Sequence, residues 1–268
     1  MLKTLIFFLV LVLSACNGTT PNPAPTVSQK PSALPVARPA KVLLWIGAGT
    51  WARDTIDNEL ILTNLGIKFD PILSLAGIDY SKYSAIIMPG GSAKTQANGL
   101  AVRTKGGNTF EASEAMGSEK GRLVQAINEG LNYLGYCAGA FLVGDYGTWG
   151  LKLFPVDLPY TSIYSPDLLQ AVPIVTHCCE SSSRSMLYYG GPSLDGIGGQ
   201  AIANFADGEA AIVQKRAGQG LVIVSSVHPE SSPDTLSLLS VIDQDGEDVT
   251  VNEQLIAAVI NNKEVTIQ

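Results

Sequence analysis

Three short apolar runs in the first half of the chain end in glycines: KVLLWI before GAGT (41–50), YSAIIMPGG (83–91) and LNYLGYCAG (131–139). Unbroken apolar runs of this length suit strands covered on both faces, which occur in parallel sheets packed between helices. The intervening segments agree. Ile56, Leu60 and Leu62 to Leu65 sit at helical spacing within 55–65, and Gly66 closes that segment. IKFDPI (67–72) is a further strand candidate, and 122–130 reads as a helix that stops at Gly130, just before the strand at 132–136. This alternation has the spacing of βαβ units and predicts an α/β domain with a mostly parallel central sheet and helices on both faces. Beyond residue 151 the character changes. SMLYYGG, QAIANFA, EAAIVQKR and GLVIVSSV are joined by turns such as ADGE and AGQG, which are hairpin signals. Two apolar helices, near 233–243 and 251–262, are expected to finish the domain.

The first 16 residues carry one charge, Lys3, an apolar stretch from Leu5 to Leu13, and then Leu13-Ser14-Ala15-Cys16. The apolar core is too short to span a membrane and has the form of a secretory signal. The four closing residues resemble a bacterial lipobox, which implies a lipid anchor on Cys16; Asn17 in place of aspartate directs the expectation to the outer membrane rather than the inner. Residues 17–40, rich in Pro, Ala, Ser and Thr, read as an extended tether, because they have too little apolar surface to fold. Residues 41–268 then suit one large domain. The net charge of −7 becomes −8 without Lys3, and no basic stripe is present, so nucleic acid is not an expected partner.

With Cys16 lipidated, Cys137, Cys178 and Cys179 remain, an odd number for an oxidising compartment. His177, Cys178, Cys179 and Glu180 in THCCESSSR are metal-ligand types, but adjacent residues cannot all face one ion. That segment reads as an exposed loop with two thiols or a vicinal disulfide, and no metal site is expected. Cys137 admits two readings, a small buried residue or a nucleophile displayed on a strand-to-helix turn. Gly135 and Gly139 favour the second, since neighbours without Cβ let strand and helix close around a strained nucleophile. The start of the following helix would favour thiolate. His228 stands at the end of GLVIVSSVHPE, and Glu230 two residues on faces the same way in an extended segment. Cysteine, histidine and glutamate thus each fall at the carboxyl end of an expected strand, where open α/β sheets place their sites.

GYCAG followed by HPE resembles the Cys-His-Glu triad of class I glutamine amidotransferase-like proteins. Within that superfamily WIGAGT, IIMPGG, LGYCAGAFL, YYGGP, ADGEAAIV and VHPE resemble, in order, the N-terminal domain of eukaryotic-type biotin protein ligases, over about residues 41–232. The resemblance implies a flavodoxin-like three-layer sandwich with Cys137 as nucleophile, His228 as base and Glu230 as its orienter. It also implies an oxyanion hole from the backbone amides of Gly91 and Ala138. The chain departs from glutamine-hydrolysing members at Ala140, where they carry glutamine. It has neither a synthetase segment nor the biotin ligase catalytic domain, so biotin ligation is not expected. Two functions follow. One is a cysteine hydrolase or acyl transferase acting on an amide or peptide-type substrate without a cofactor; the other is a binding module on the same fold. The expected partners are that small-molecule or peptide substrate and, through Cys16, a membrane; the sequence does not specify an oligomeric state.

Overall fold

The structure, a computed structural model, describes residues 38–98, 119–147, 149–178, 183–246 and 248–267. The signal segment, Cys16, most of the 17–40 tether, residues 99–118, Cys179 and Glu180 lie outside the described residues.

The expected strands form. β1 (Lys41–Trp45), β2 (Lys68–Ile72), β3 (Ala85–Met88) and β4 (Asn132–Tyr136) are mutually parallel and are joined by β9 (Gly220–Ser225). β5 (Leu169–Thr176), β6 (Ser183–Tyr189), β7 (Gln200–Phe205) and β8 (Ala210–Ala217) extend the sheet antiparallel, in the order β2-β1-β3-β4-β9-β8-β7-β5-β6. The parallel half carries the site and the antiparallel half lengthens the sheet beyond it. β5 fell outside the sequence reading because its alternating burial and central Pro173 give no continuous apolar run.

The apolar strands are covered on both faces, which makes three layers. One core joins the sheet to α3 (Lys120–Asn128) and α4 (Ala138–Phe141), and the other to α1 (Ala52–Asn64) and α6 (Val249–Asn261). Two shorter helices, α2 (Ala93–Asn98) and α5 (Pro233–Leu238), complete the α-helices of the described residues, and no described helix is long and apolar enough to cross a membrane. α5 ends earlier than its sequence reading, where Ser240 takes a left-handed conformation.

Helix α1 corrects the sequence reading. The face taken for apolar is largely turned outward, with Ile56 45% and Leu60 49% exposed, while Asp54, Thr55, Asp57, Asn58, Ile61 and Leu62 are buried. Asp57 is turned in to a partner across the core, and Asp54 to an ion-pair contact with His228 at 3.3 Å. Asp57 accepts from the Ser232 hydroxyl at 2.6 Å and the Ser232 amide at 3.2 Å, and Asn58 Nδ2 donates to the Asp54 carbonyl at 2.8 Å. Cys178 is a second correction: it is buried in the core rather than displayed on an exposed loop, with His177 hydrogen-bonded to Asn204 beside it.

Two stability predictions arise from the fold. A Cβ on Gly139 would stand 2.1 Å from the Met88 carbonyl oxygen, and one on Gly135 would stand 2.6 Å from the Gly139 carbonyl oxygen. Gly139→Ala is therefore expected to cost about 3 kcal/mol and to lower Tm by roughly 6–12 °C in a thermal melt. The second concerns Asp248, at the start of α6, which is buried with Oδ1 unpartnered among the described residues. Burial first, then Asp243 and Asp245, push its carboxyl up to about 8. The folded state thus holds a proton that the unfolded state releases near pH ~4, and stability falls as pH rises between those values. Asp248→Asn should raise Tm at about pH 9 and leave it nearly unchanged at about pH 4; an equal gain at both would remove titration as the cause.

Candidate functional site

The strand order reverses between β1 and β3, so the chain segments leaving their carboxyl ends diverge and open a crevice. Thr50 and Gly91 bridge the two segments, with the Trp51 amide donating to Gly90 at 2.9 Å and the Ser92 amide to Gly49 at 2.8 Å. Cys137 leaves β4 beside them, and His228 and Glu230 follow β9. All three expected triad positions, with Gly91, therefore reach one edge of the parallel sheet.

Cys137 takes φ 46 and ψ −101 between β4 and α4, a conformation that non-glycine residues adopt only under constraint. The constraint is visible. Its amide donates to the Ser225 carbonyl at 2.8 Å, the Ala140 amide donates back to its carbonyl at 2.9 Å, and the Tyr133 hydroxyl ties down the Gly139 carbonyl at 2.6 Å. The sulfur lines a cavity of about 730 Å³ that His228 and Gly91 also line. The thiol donates to the Tyr189 carbonyl at 3.3 Å. Ala138, the next residue, is buried, and among the described residues neither the Ala138 nor the Gly91 amide makes a backbone hydrogen bond.

The imidazole of His228 is buried, at 2% exposure, against the inner wall of the cavity. Its Nδ1 lies 3.0 Å from Glu230 Oε1 in a hydrogen bond and 3.3 Å from Asp54 Oδ2 in an ion-pair contact. Among the described residues Nε2 is buried without a hydrogen-bond partner. Burial alone would lower the imidazole's pKa. Asp54 and then Glu230 outweigh it, the Cys137 thiol adds to them, and the ring stands well above the ordinary histidine value. Burial drives Glu230 up to about 7 against the pull of the imidazole, with Asp54 pushing the same way. Trp51 packs edge-on to the ring, with centroids 6.4 Å apart.

Asp54 is the residue sequence reasoning missed. It is fully buried at the start of α1, and the main chain makes room for it: a Cβ on Gly90 would stand 2.1 Å from Asp54 Oδ2 and 2.7 Å from His228 Cε1. One signal was available, a carboxylate in GAGTWARD just past the carboxyl end of a strand, where the other site residues also fall. Asp54, His228 and Glu230 bring their donor atoms within 4.8 Å of one another, and among the described residues no other such cluster could hold a metal ion. The same spacing lets two carboxylates share the proton of one imidazole.

No family model and no curated protein matches the chain. Solved structures do. A protein described as a component of GMP synthase, from Thermoplasma acidophilum, is similar at TM-score 0.51 and 13% identity, over 83% of this chain and 94% of its own. PurLQS from Thermotoga maritima is similar at TM-score 0.53 and 15% identity, over 83% and 97%. A glutamine amidotransferase from the same organism gives TM-score 0.49 and 12% identity, over 74% and 79%. The first two likenesses, with the sheet order above, give this chain a flavodoxin-like α/β fold. At these identities the likeness concerns the fold alone.

Proposed function

We propose that this chain is a cysteine-dependent hydrolase or acyl transferase acting on an amide or peptide-type substrate, on a domain resembling the N-terminal domain of eukaryotic-type biotin protein ligases. The observation that carries this reading is the arrangement around His228. Two buried carboxylates lie within 3.3 Å of Nδ1, Nε2 has no hydrogen-bond partner among the described residues, and the His228 ring lines the same cavity as Cys137. In the reaction the Cys137 thiol gives its proton to Nε2, and Sγ bonds to the substrate carbonyl carbon. The charge that develops on the carbonyl oxygen is taken by the Gly91 and Ala138 amides. The carbon–nitrogen bond breaks, and the amine leaves with the proton held by His228. Water then adds to the thioester, passing a proton to His228 that restores the thiol as the acid product departs. Glu230 and Asp54 are positioning residues for the ring.

A binding module without turnover is the competing reading, and one contact favours it: the thiol hydrogen is directed to the Tyr189 carbonyl. The two separate on a panel of p-nitroanilides and short peptide amides. The enzyme reading expects multiple turnovers, lost by at least about 1,000-fold in Cys137→Ser. Stoichiometric binding with no product from any member would favour the module.

The reading includes a lipid on Cys16 and placement at the bacterial outer membrane. Cells fed radiolabelled palmitate should label the wild-type chain and not Cys16→Ala; label in neither would remove the anchor.

A further inference from the structure

We propose that the cavity in front of Cys137 selects an amide or ester whose acyl part carries a planar apolar ring, with Phe141, Tyr146, Trp149 and Tyr160 setting the preference. The inference rests on the cysteine hydrolase reading and names the substrate class for that same site.

Six aromatic side chains line the cavity, these four together with Trp51 and Tyr189. The four form one connected wall. Tyr146 and Trp149 stack with ring centroids 3.9 Å apart and planes 5° from parallel. Phe141 meets Tyr160 edge-on at 5.3 Å and tilts against Tyr146 at 6.4 Å. All four lie within 24 residues after Cys137, on α4 and the segment that follows it, so the elbow and the wall are positioned by one stretch of chain. Ring faces attract other rings in offset or edge-on arrangements beyond what buried area alone provides.

The polar chemistry of the wall points the same way. Phe141 has no polar atom. The Tyr146 hydroxyl donates to the Leu158 carbonyl at 2.8 Å and accepts from the Leu158 amide at 3.2 Å, which leaves its ring to the cavity. Tyr160, another lining residue, is 54% exposed, a large ring left against water. Among the described lining residues only Lys94 and Asp167 carry full charges apart from His228. A pocket for a free amino acid or a sugar needs many directed polar groups, whereas an apolar wall with few polar points suits a ring. At about 730 Å³ the space exceeds what a bare carboxamide would fill and matches the size of pockets that enclose a ring and its linker.

The test uses two probes with one reactive group, iodoacetamide and N-benzyl-iodoacetamide, on the full chain. Cys137 labelling is followed by mass spectrometry, and the ratio of the two rates is referenced to glutathione. The expected result is saturable labelling by the benzyl probe and a rate ratio at least about 10-fold above that of glutathione. The ratio should collapse toward the glutathione value in Trp149→Ala and in the milder Phe141→Leu, and stay at the wild-type value in Ile242→Ala, a surface control 82% exposed. Rapid labelling by both probes at the glutathione ratio overturns the ring preference and leaves the hydrolase reading standing. A greater advantage for N-iodoacetyl-glucosamine also overturns it, in favour of a sugar. Slow labelling by every probe counts against the hydrolase reading. The ring preference is then decided by titrating unreactive N-benzylacetamide against tryptophan fluorescence: saturable binding that is weakened in Phe141→Leu supports it, and absence of binding overturns it.

Discussion

His228→Ala is expected to slow alkylation of Cys137 by iodoacetamide about 100-fold near pH 6, the largest single effect on the sulfur of any substitution that leaves it in place. An unassisted thiol titrates near pH ~8.5, so at pH 6 well under about 1% of it is thiolate. The imidazole supplies what is missing. Asp54 and Glu230 hold its pKa well above the ordinary histidine value, so it can take and keep the proton that Cys137 gives up. The substitution is mild for the fold, because the His228 amide donates to the Leu187 carbonyl at 2.8 Å whatever the side chain. His228→Asn, which refills part of the space, should give the same loss and so separate chemistry from collapse of the pocket. Labelling that is equally fast in wild type and both variants would make Cys137 an ordinary thiol and remove the dyad. Peptide mapping keeps the readout specific, since Cys178 is buried in the opposite core and does not line the cavity.

What the sequence made legible followed from two physical rules. Continuous apolar runs marked β1, β3, β4 and β9 because a strand covered on both faces has no polar side to display. Glycines around a cysteine at the end of one of them marked the elbow, because backbone approaches of the kind seen between Gly139 and Met88 exclude a Cβ. The positions of Cys137, His228 and Glu230 were legible for the same reason, since each follows the carboxyl end of such a strand. Helix α1 and Asp54 were not. Helical periodicity identifies an apolar stripe on the assumption that the apolar side turns in. α1 reverses this, since its polar side meets His228 through Asp54 and Ser232 through Asp57. Those partners lie more than 170 residues away in sequence, and no local pattern encodes them. The aromatic wall was also missed, because Phe141, Tyr146, Trp149 and Tyr160 fall where the chain has little regular structure and no period to read.

The pair of carboxylates on one imidazole leads to the second large effect, and it is non-additive. Asp54→Asn or Glu230→Gln alone leaves one carboxylate within 3.3 Å of Nδ1, so each should slow Cys137 alkylation at pH 7 by only about 3-fold. The double substitution leaves none, and His228 becomes a buried imidazole subject mainly to desolvation, which lowers its pKa. Its loss should approach that of His228→Ala, well beyond the product of the two single effects. The sign of the pH dependence follows from the direction of the shift. A histidine whose pKa is raised in the folded state keeps its proton to higher pH, so the wild type should hold its labelling rate relative to a free thiol from about pH 6 upward. Removing Asp54, the strongest of the raising influences, moves the loss of the imidazolium to lower pH, and the single variant should fall furthest behind between about pH 6 and 8. Neither carboxylate lines the cavity, so once a substrate is in hand the cost should appear in kcat with KM nearly unchanged. If Asp54→Asn lowers Tm but leaves the pH profile where it was, Asp54 only fills space beneath the ring. If the double variant is no slower than Glu230→Gln, Glu230 alone orients His228, and Asp54 acts, if at all, through it.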